Sequence, residues 1–334
     1  MKIILFQSQS LKLSSKDLAF LKSFKLEFDN DFVKLIKDDK FLLTGVYAKK
    51  IALKVLSGGK RLRPILLYLA ASMTGYNDKK KIKRLGFVIE LIHIASLMHD
   101  DVMDNADMRR GKKTVSYENG NSIAILTGDY LYSLAYRIAL EFEKPIPEIV
   151  SIAASHLAEG QMEETRLSGN FFLSFSDYIR IIYNKTAVMF ECAIKIGSIL
   201  GNNASDLRNL SRFGRYLGYS FQITDDILDY IGSSAMLGKP VLSDLAEGKA
   251  TMPLIAARTC SEPQERSNMK RLWDKKEDIQ KIESWVIKNN GIALAKSVCL
   301  SYIKKADSLL EDIKDCYEKE LLIKIANRSI FREK

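Results

Sequence analysis

Two groups of three aspartates are the residues in this sequence best suited to chemistry. They share the spacing DDxxD and comprise Asp100, Asp101 and Asp104, then Asp225, Asp226 and Asp229. Residues four apart on an α-helix share a face, with Cβ atoms roughly 5–6 Å apart, so the outer carboxylates of each group lie close together. Such a pair repels by roughly 2–3 kcal/mol at an effective dielectric constant near 20, which predicts a cation between them.

The setting of the two groups favours magnesium as that cation. One DDxxD alone is often just the acidic end of a solvated helix. Here two copies each follow apolar residues at the end of a hydrophobic segment. Oxygen ligands without cysteine pairs or paired histidines suit Mg²⁺, which keeps waters and binds phosphate oxygens beside a few carboxylates.

Basic residues at interruptions of the helical pattern are candidate anion ligands. Residues 57–64 read SGGKRLRP, where two glycines break the pattern and Pro64 suits a first helical turn. Lys60 and Arg63 then flank a helix N-terminus, which favours an anion, although a basic surface turn is the alternative. Lys185 and Thr186 lie within a later apolar helix, where the lysine either reaches solvent or points at an anion.

Charge and cysteine usage limit the class of protein. The chain of 334 residues carries a net charge of +10, which suits phosphorylated small molecules, a lipid surface or nucleic acid without choosing among them. Four dispersed cysteines without a CxxC pair predict free thiols in a reducing compartment. No apolar run is long enough for a signal peptide or a membrane span, so a cytosolic protein is expected.

Apolar residues recur with helical spacing through nearly every segment, so an all-α fold is expected. No linker, repeat or low-complexity tract divides the chain, which predicts a single domain over residues 1–334. A central helix that ends at Asp104 carries the first aspartate group, and a helix starting near residue 202 carries the second. Residues 112–121 are expected to form a loop, and Ser176 and Asp177 to cap the helix containing Lys185.

Together these motifs resemble those of the trans-isoprenyl diphosphate synthases, or polyprenyl synthetases. The resemblance covers about residues 45–255 in matching order and spacing. It depends on GGKRLRP at 58–64, the DDxxD and RRG segment at 93–111, Lys185–Thr186, Phe221–Gln222 with the second DDxxD, and Gly238–Lys239–Pro240 with Asp244 and Lys249. It implies an all-α isoprenoid synthase-type bundle of about 10–13 helices around a central cavity, usually as a homodimer.

The resemblance also implies a reaction and a set of site residues. The family adds isopentenyl diphosphate head-to-tail to an allylic diphosphate, and Mg²⁺, three ions with substrate bound, neutralises the leaving pyrophosphate. The implied metal ligands are Asp100, Asp104 and Asp225, supported by Asp101, Asp226 and Asp229. The implied allylic-diphosphate ligands are Arg109, Lys185, Lys239 and Lys249. The implied ligands of isopentenyl diphosphate are Lys60, Arg63, His93 and Arg110. Thr186 and Gln222 are implied to stabilise the allylic cation or to assist the proton transfer. His99 is expected to be structural.

The residues before the first DDxxD predict a medium- or long-chain product, beyond C15. The chain should grow away from the metals along the helix that carries Asp100, so residues four and five positions earlier lie about 6–7.5 Å deeper. Those residues, Ser96 and Ala95, are small and leave the tunnel open. Candidates for its floor are Leu91 and Ile92 and, on the facing helix, Leu126 and Tyr130.

Several alternatives compete with this interpretation. A class I terpene cyclase also uses DDxxD, but the second aspartate group and GGKRLRP argue against it. A short-chain farnesyl or geranylgeranyl synthase, or the catalytic subunit of a heteromeric synthase, remains an alternative, whereas a silent subunit would lack aspartates or arginines retained here. A nucleic-acid-binding protein would need a continuous basic face, and the basic residues here are dispersed. At most, peripheral contact with a membrane is expected.

Overall fold

The computed structural model describes residues 12–39, 46–56, 58–109, 111–201, 207–232 and 241–330. These residues form sixteen α-helices and one two-stranded hairpin, which confirms the all-α prediction. The first half contains α1 (Ser15–Lys37), α2 (Val46–Val55), α3 (Leu62–Met73), α4 (Lys79–Met103), β1 (Met108–Arg109), β2 (Lys112–Lys113), α5 (Val115–Asn119), α6 (Asn121–Ala139), α7 (Ile146–Leu167) and α8 (Phe175–Ile182).

A π-helical turn, Tyr183–Ala187, follows α8. After it come α9 (Val188–Leu200), α10 (Leu207–Ile231), α11 (Ser243–Ala246), α12 (Met252–Cys260), α13 (Pro263–Lys275), α14 (Ile279–Lys288), α15 (Gly291–Ser308) and α16 (Tyr317–Ile330). Short helices such as α5 and α11 account for the excess over the 10–13 helices expected. Across the described ranges, no helix combines the length and the apolar character needed to cross a bilayer.

Local capping chemistry sets several helix starts. A capping box begins α1: the Ser14 hydroxyl accepts the N–H of Asp17, and the Asp17 carboxylate accepts the N–H of Ser14. The predicted start of the Lys185-bearing helix at Ser176 and Asp177 is wrong by two residues. Ser174 caps α8 and accepts the N–H of Asp177, because a serine cap reaches the third helical residue.

The predicted loop at 112–121 contains regular structure. Met108–Arg109 pairs antiparallel with Lys112–Lys113, and Gly111 makes the turn with a φ of 72°, a value that glycine adopts without strain. The short helix α5 follows directly. Sequence periodicity could not reveal strands of only two residues, because an alternating pattern needs at least four. The hairpin holds Arg109 close to the end of α4.

Helices α4 and α6 pack antiparallel along most of their length. Near one end His99 lies against Gly128, where a Cβ atom would come within 2.2 Å of the His99 Nε2 atom. Near the other end Arg84 binds Glu141. His99 Nε2 is also 3.1 Å from the carbonyl oxygen of Ile125. These contacts agree with the structural role expected of His99.

Helix α9 packs between α3 and α10. The ends of α3 and α9 coincide, since Gly201 lies against Thr74. We call this end of the bundle, where α3, α6 and α9 finish and α4 starts, the basal end. Asp100 lies at the opposite end of α4, about 30 Å along the helix axis from Lys79.

Three clusters of buried apolar residues form the core. The first joins α1, α3, α4, α6, α7 and α9 and includes the packed rings of Phe28, Phe32 and Phe87. The second joins α8 and α10 to α11–α15, and the third joins α3, α9, α10, α15 and α16. Because α3, α9, α10 and α15 each belong to two clusters, α10, which carries the second aspartate group, is held from several sides.

Candidate active site

The first aspartate group lies where α4 ends. Asp104 caps the helix, and its N–H donates to the carbonyl oxygen of Asp100 at 2.8 Å. This bond keeps Asp100 and Asp104 one turn apart, as the spacing predicts. Asp101 is buried and pairs with the Arg109 guanidinium at 2.5 Å. Asp101 therefore anchors β1 to α4.

Asp100 is a poorly solvated carboxylate. Burial is the main reason that the pKa of Asp100 rises above its ordinary value. Lys185 and Arg109 act to lower this pKa, while repulsion from Asp104 and Glu164 raises it further. A carboxylate in this position is stabilised in its charged form by any additional cation.

Two lysines lie beside the first aspartate group. The Nζ atom of Lys249 is 3.2 Å from Asp104 and 3.7 Å from Glu164, and it also pairs with Glu247 at 2.6 Å. Lys185 forms a second ion pair with Glu164. Burial by itself would lower the pKa of Lys249, but the surrounding carboxylates raise its pKa above the ordinary lysine value. Glu164 thus joins two cations that the family resemblance predicts to bind a diphosphate.

Lys185 and Thr186 lie in the π-helical turn, where the sequence predicts an unbroken helix. The turn packs tightly on α7, since a Cβ atom on Gly160 would lie 2.6 Å from the Cβ atom of Asn184. Such turns insert an extra residue and occur frequently at functional sites. The Thr186 hydroxyl donates to Gln222 at 2.7 Å, which connects the turn to α10.

Asp226, in the second group, is buried in a hydrogen-bond network. Its carboxylate accepts from the Tyr178 hydroxyl at 2.5 Å and from the Gln222 amide at 2.9 Å. Burial and the negative charge of Asp244 raise the pKa of Asp226 to about 7. The network fixes the side chain of Gln222 between Thr186 and Asp226. Tyr178 could not be identified from the sequence, because a tyrosine on an amphipathic helix gives no signal of its own.

Asp229 is also held by protein groups. It accepts from the Ser243 hydroxyl at 2.8 Å and from the N–H of Asp244 at 3.1 Å, so it stabilises the start of α11. Asp225 is half-buried. Asp101, Asp226 and Asp229 therefore have structural partners consistent with supporting roles. The metal-binding assignment of Asp100, Asp104 and Asp225 stays a prediction.

The available donors fit magnesium brought in with a diphosphate. Within the described ranges, no three acidic, histidine or cysteine side chains converge into a complete metal cage. The site instead offers carboxylates in two groups with lysines beside them. Mg²⁺ suits such a site because it uses a few carboxylates and completes its coordination with water and phosphate oxygens.

Arg61 anchors the SGGKRLRP segment. Its backbone adopts a left-handed conformation, with φ of 53°, and its side chain is buried. The guanidinium donates to Asp29 and Glu90 at 2.6 Å each, and to the carbonyl oxygen of Leu56. This role could not be assigned to Arg61 from the sequence, because nothing in the sequence distinguishes three basic residues in one turn.

This anchor places the segment that carries Lys60 and Arg63 beside α4, about one turn before His93. Glu90, which binds the anchor, precedes His93 on α4. The Arg63 guanidinium lies 4.7 Å from the centroid of the Phe190 ring, and that ring is 5.0 Å from Phe221. Lys60 is exposed and His93 is half-buried. Arg110 and Lys239 lie outside the described residues.

The residues at the two predicted chain-length positions have small side chains that are buried or half-buried. Ala95 is fully buried, and Ser96 is half-buried with its hydroxyl donating to the His93 carbonyl at 2.9 Å. Both assignments stay predictions.

The predicted tunnel floor needs one correction. Leu126 is 62% exposed, because it lies on the side of α6 that faces away from α4. Tyr130 is half-buried, and its hydroxyl donates to Asp39 at 2.9 Å. Tyr132 faces α4 instead: its ring lies 5.8 Å from His99, and the negative charge of Asp100 contributes, after burial, to raising the Tyr132 pKa.

Comparison with known proteins supports a single family. The Polyprenyl synthetase family model matches residues 46–288. The octaprenyl diphosphate synthase of Haemophilus influenzae is 36% identical over 283 residues, which cover 83% of this chain and 86% of that protein. The geranylgeranyl diphosphate synthase of Methanosarcina mazei is 34% identical over 288 residues, covering 83% and 87%.

A solved structure has the same fold. The polyprenyl synthase of Caulobacter crescentus, complexed with calcium and isoprenyl diphosphate, matches with a TM-score of 0.85 at 29% identity. The match covers 96% of this chain and 98% of that one.

Proposed function

Because this chain belongs to the polyprenyl synthetase family of prenyltransferases, we propose that it extends an allylic diphosphate with isopentenyl diphosphate to a product longer than C15. One observation carries the proposal: contacts run from Asp104 through Lys249 and Glu164 to Lys185. From there the π-helical turn leads to Gln222. Two cations thus lie beside the first carboxylate group, and the turn that carries one of them is linked through Gln222 to Asp226 of the second group. A magnesium-bound diphosphate requires such cations close to its carboxylates.

The carboxylates would hold the divalent metal that the family uses. Asp100, Asp104 and Asp225 are the proposed ligands of Mg²⁺, three ions when substrate is bound. When bound, these ions neutralise the negative charge that develops on departing pyrophosphate. The calcium in the related C. crescentus structure is in keeping with this requirement.

The basic side chains would bind the two diphosphates. Lys185 and Lys249, with Arg109 and Lys239, would bind the allylic diphosphate. Lys60, Arg63, His93 and Arg110 would hold isopentenyl diphosphate at the α3–α4 junction. The allylic carbon–oxygen bond breaks with its electron pair passing to pyrophosphate. The isopentenyl double bond then supplies the pair for the new carbon–carbon bond, and a proton leaves. Gln222, oriented by Thr186 and Asp226, would face the cation.

Glu164→Gln should strengthen binding of inorganic pyrophosphate measured without metal, by about tenfold. Glu164 pairs with Lys185 and approaches Lys249, so a diphosphate must compete with it for both. Removing a partly buried ion pair of this kind changes binding by roughly 1–1.5 kcal/mol. Titration calorimetry would measure the dissociation constant.

Glu163→Gln is the matched control for that measurement. Glu163 binds Arg180 on the outer side of α7, at 2.5–3.0 Å, and approaches neither lysine. Its replacement should leave pyrophosphate affinity unchanged. Equal or weaker affinity in Glu164→Gln than in the control would contradict the proposed competition.

Product length is proposed from the small residues on α4. Octaprenyl and geranylgeranyl synthases match this chain at similar identity, 36% and 34%. Ala95 and Ser96 favour the longer class, because side chains this small would leave room for a growing chain below Asp100. A farnesyl or geranylgeranyl synthase, or the catalytic subunit of a heteromeric synthase, is the alternative.

Ala95→Phe should shift the main product to a shorter chain. A phenyl ring at this fully buried position would block the path along α4, and overpacking would cost roughly 1–3 kcal/mol of stability. Mass spectrometry of dephosphorylated products gives the length distribution, and thermal melting confirms folding. Ser96→Ala, which stays small, should preserve the product. An unchanged distribution in Ala95→Phe would reject this path.

A second copy of the chain is proposed to cover the outer face of α6 and α7. These adjacent helices expose Ile125, Leu126, Ile152 and Met162, at 42%, 62%, 58% and 66%. Exposed apolar side chains on neighbouring helices are typical of an interface. Light scattering should give the mass of a homodimer, and Leu126→Glu with Met162→Glu should give that of a monomer. A monomeric wild-type protein would refute the interface.

The overall proposal is tested by incubating the purified protein with Mg²⁺, labelled isopentenyl diphosphate and farnesyl diphosphate. A ladder of products ending at one length beyond the primer would establish elongation and define the tunnel depth. No extension with any allylic primer would refute a self-sufficient synthase. Recovery of activity on adding a second subunit would identify the heteromeric alternative.

A further inference from the structure

A basic and aromatic surface lies on α10 and α15, away from the aspartate groups. We call it the Arg–Tyr patch; it consists of Arg208, Arg212, Tyr216, Tyr302 and Lys305. Four of its members form a continuous series: the Arg212 guanidinium lies 5.9 Å from the Tyr216 ring, the Tyr216 and Tyr302 rings are 5.9 Å apart, and Lys305 lies 5.4 Å from the Tyr302 ring. Arg208 lies one helical turn before Arg212 on α10.

The cations of the patch are available to an external anion. Arg208, Arg212 and Lys305 are exposed, and none pairs with a carboxylate in the part of the chain that the structure describes. Glu191, on neighbouring α9, is already bound by Arg215 through two bonds of 2.8 Å. The acidic residues Asp307 and Glu311 follow Lys305 in the sequence, where Asp307 is half-buried and Glu311 is exposed.

The patch lies toward the basal end of the bundle. Its α10 residues precede Asp225 by about 14–26 Å along the helix axis. In the proposed function the apolar product grows from Asp100 along α4 toward the same end. The patch therefore lies toward the end of the bundle to which the hydrocarbon chain is proposed to grow.

A bilayer surface fits this chemistry better than other anions. Tyrosine rings favour the level of the lipid headgroups, where an apolar ring and a polar hydroxyl are both satisfied. Lysine and arginine each strengthen attachment to anionic lipid by about fivefold. Single-stranded nucleic acid would need a basic groove lined by stacking rings, whereas these rings are half-buried against one another.

We propose that the Arg–Tyr patch docks the protein on an anionic lipid bilayer, with the basal end turned toward the membrane. The reason for docking rests on the proposed function, since a polyprenyl diphosphate is poorly soluble in water. Attachment itself depends only on the patch.

Co-sedimentation with vesicles tests the proposal. The full chain should sediment with phosphatidylcholine vesicles containing phosphatidylserine, and not with phosphatidylcholine alone. R208Q/R212Q/K305Q should weaken binding on the order of 100-fold. The control K22Q/K275Q/K276Q removes the same charge from exposed lysines on and just after α1 and α13, and should change binding by less than about twofold.

Three outcomes would overturn the proposal: no sedimentation of wild type with anionic vesicles, an equal loss in the control variant, or tighter binding to soluble polyglutamate than to vesicles. Prenyl transfer assayed without vesicles separates this inference from the proposed function. Normal transfer with lost vesicle binding in the patch variant supports both. Vesicle binding by a protein without transfer activity would refute the function and leave the docking surface established.

Discussion

Asp100→Asn should lower the rate of prenyl transfer by about a thousandfold or more while the protein stays folded. Asparagine keeps the shape of the side chain but removes the negative charge proposed to bind metal, and loss of such stabilisation costs about 4 kcal/mol or more in the transition state. Folding should not suffer, because burial disfavours the charged form of Asp100 and raises its pKa, and asparagine removes that charge. Initial rates of labelled isopentenyl incorporation measure the effect.

Asp107→Asn is the matched control for this substitution. Asp107 is an exposed carboxylate in the turn just after α4, so it has the same charged side chain and is close in sequence to the first aspartate group, but it lies outside that group. Its replacement should leave the rate within about twofold, as is usual for an exposed residue outside a site. A comparable rate in the Asp100 variant would refute its role at the metal.

Arg61→Met should reduce the free energy of unfolding by roughly 3–5 kcal/mol. The guanidinium is buried and binds Glu90, Asp29 and the carbonyl oxygen of Leu56. Methionine would leave the buried Glu90 carboxylate without its counter-ion. Urea denaturation followed by circular dichroism measures the change.

Two further variants separate the structural arginine from the substrate arginine. Arg63→Met should change stability by less than about 1 kcal/mol, since the Arg63 side chain is only half-buried, and it should weaken binding of isopentenyl diphosphate. Arg61→Met with Glu90→Leu should recover part of the lost stability, because an apolar pair replaces an uncompensated charge. A stability loss for Arg63→Met equal to that of Arg61→Met would contradict this division of roles.

Much of the fold was predictable because its signals are local. Helical spacing of apolar residues follows directly from burial of one helix face. The capping box is formed by Ser14 and Asp17 alone, which are only three residues apart. The DDxxD groups were identifiable for the same reason: four-residue spacing sets their geometry without reference to the rest of the chain. The helix ending at Asp104 agrees with the structure to within one residue.

Other features depend on contacts between distant segments. Glu164 acquires its position only when α7 packs beside the turn that carries Lys185 and the segment that carries Lys249. The burial of Arg61 depends on α1 and α4, which supply Asp29 and Glu90. The helical pattern around residue 126 was consistent with either face of α6 pointing inward. In the structure α6 packs against α4 through the face opposite Leu126. No single-residue signal in the sequence contains this information.

The Glu164 contacts bear on how often the enzyme can repeat its reaction. A synthase that adds several isoprene units generates pyrophosphate in every cycle. This pyrophosphate must be released before the next substrate binds. A carboxylate held permanently beside Lys185 and Lys249 would take over these lysines as pyrophosphate departs. The departing anion would thus leave behind an already neutralised site, which favours rapid turnover over product inhibition. Processive chain growth would then depend on a residue that takes no part in forming any bond.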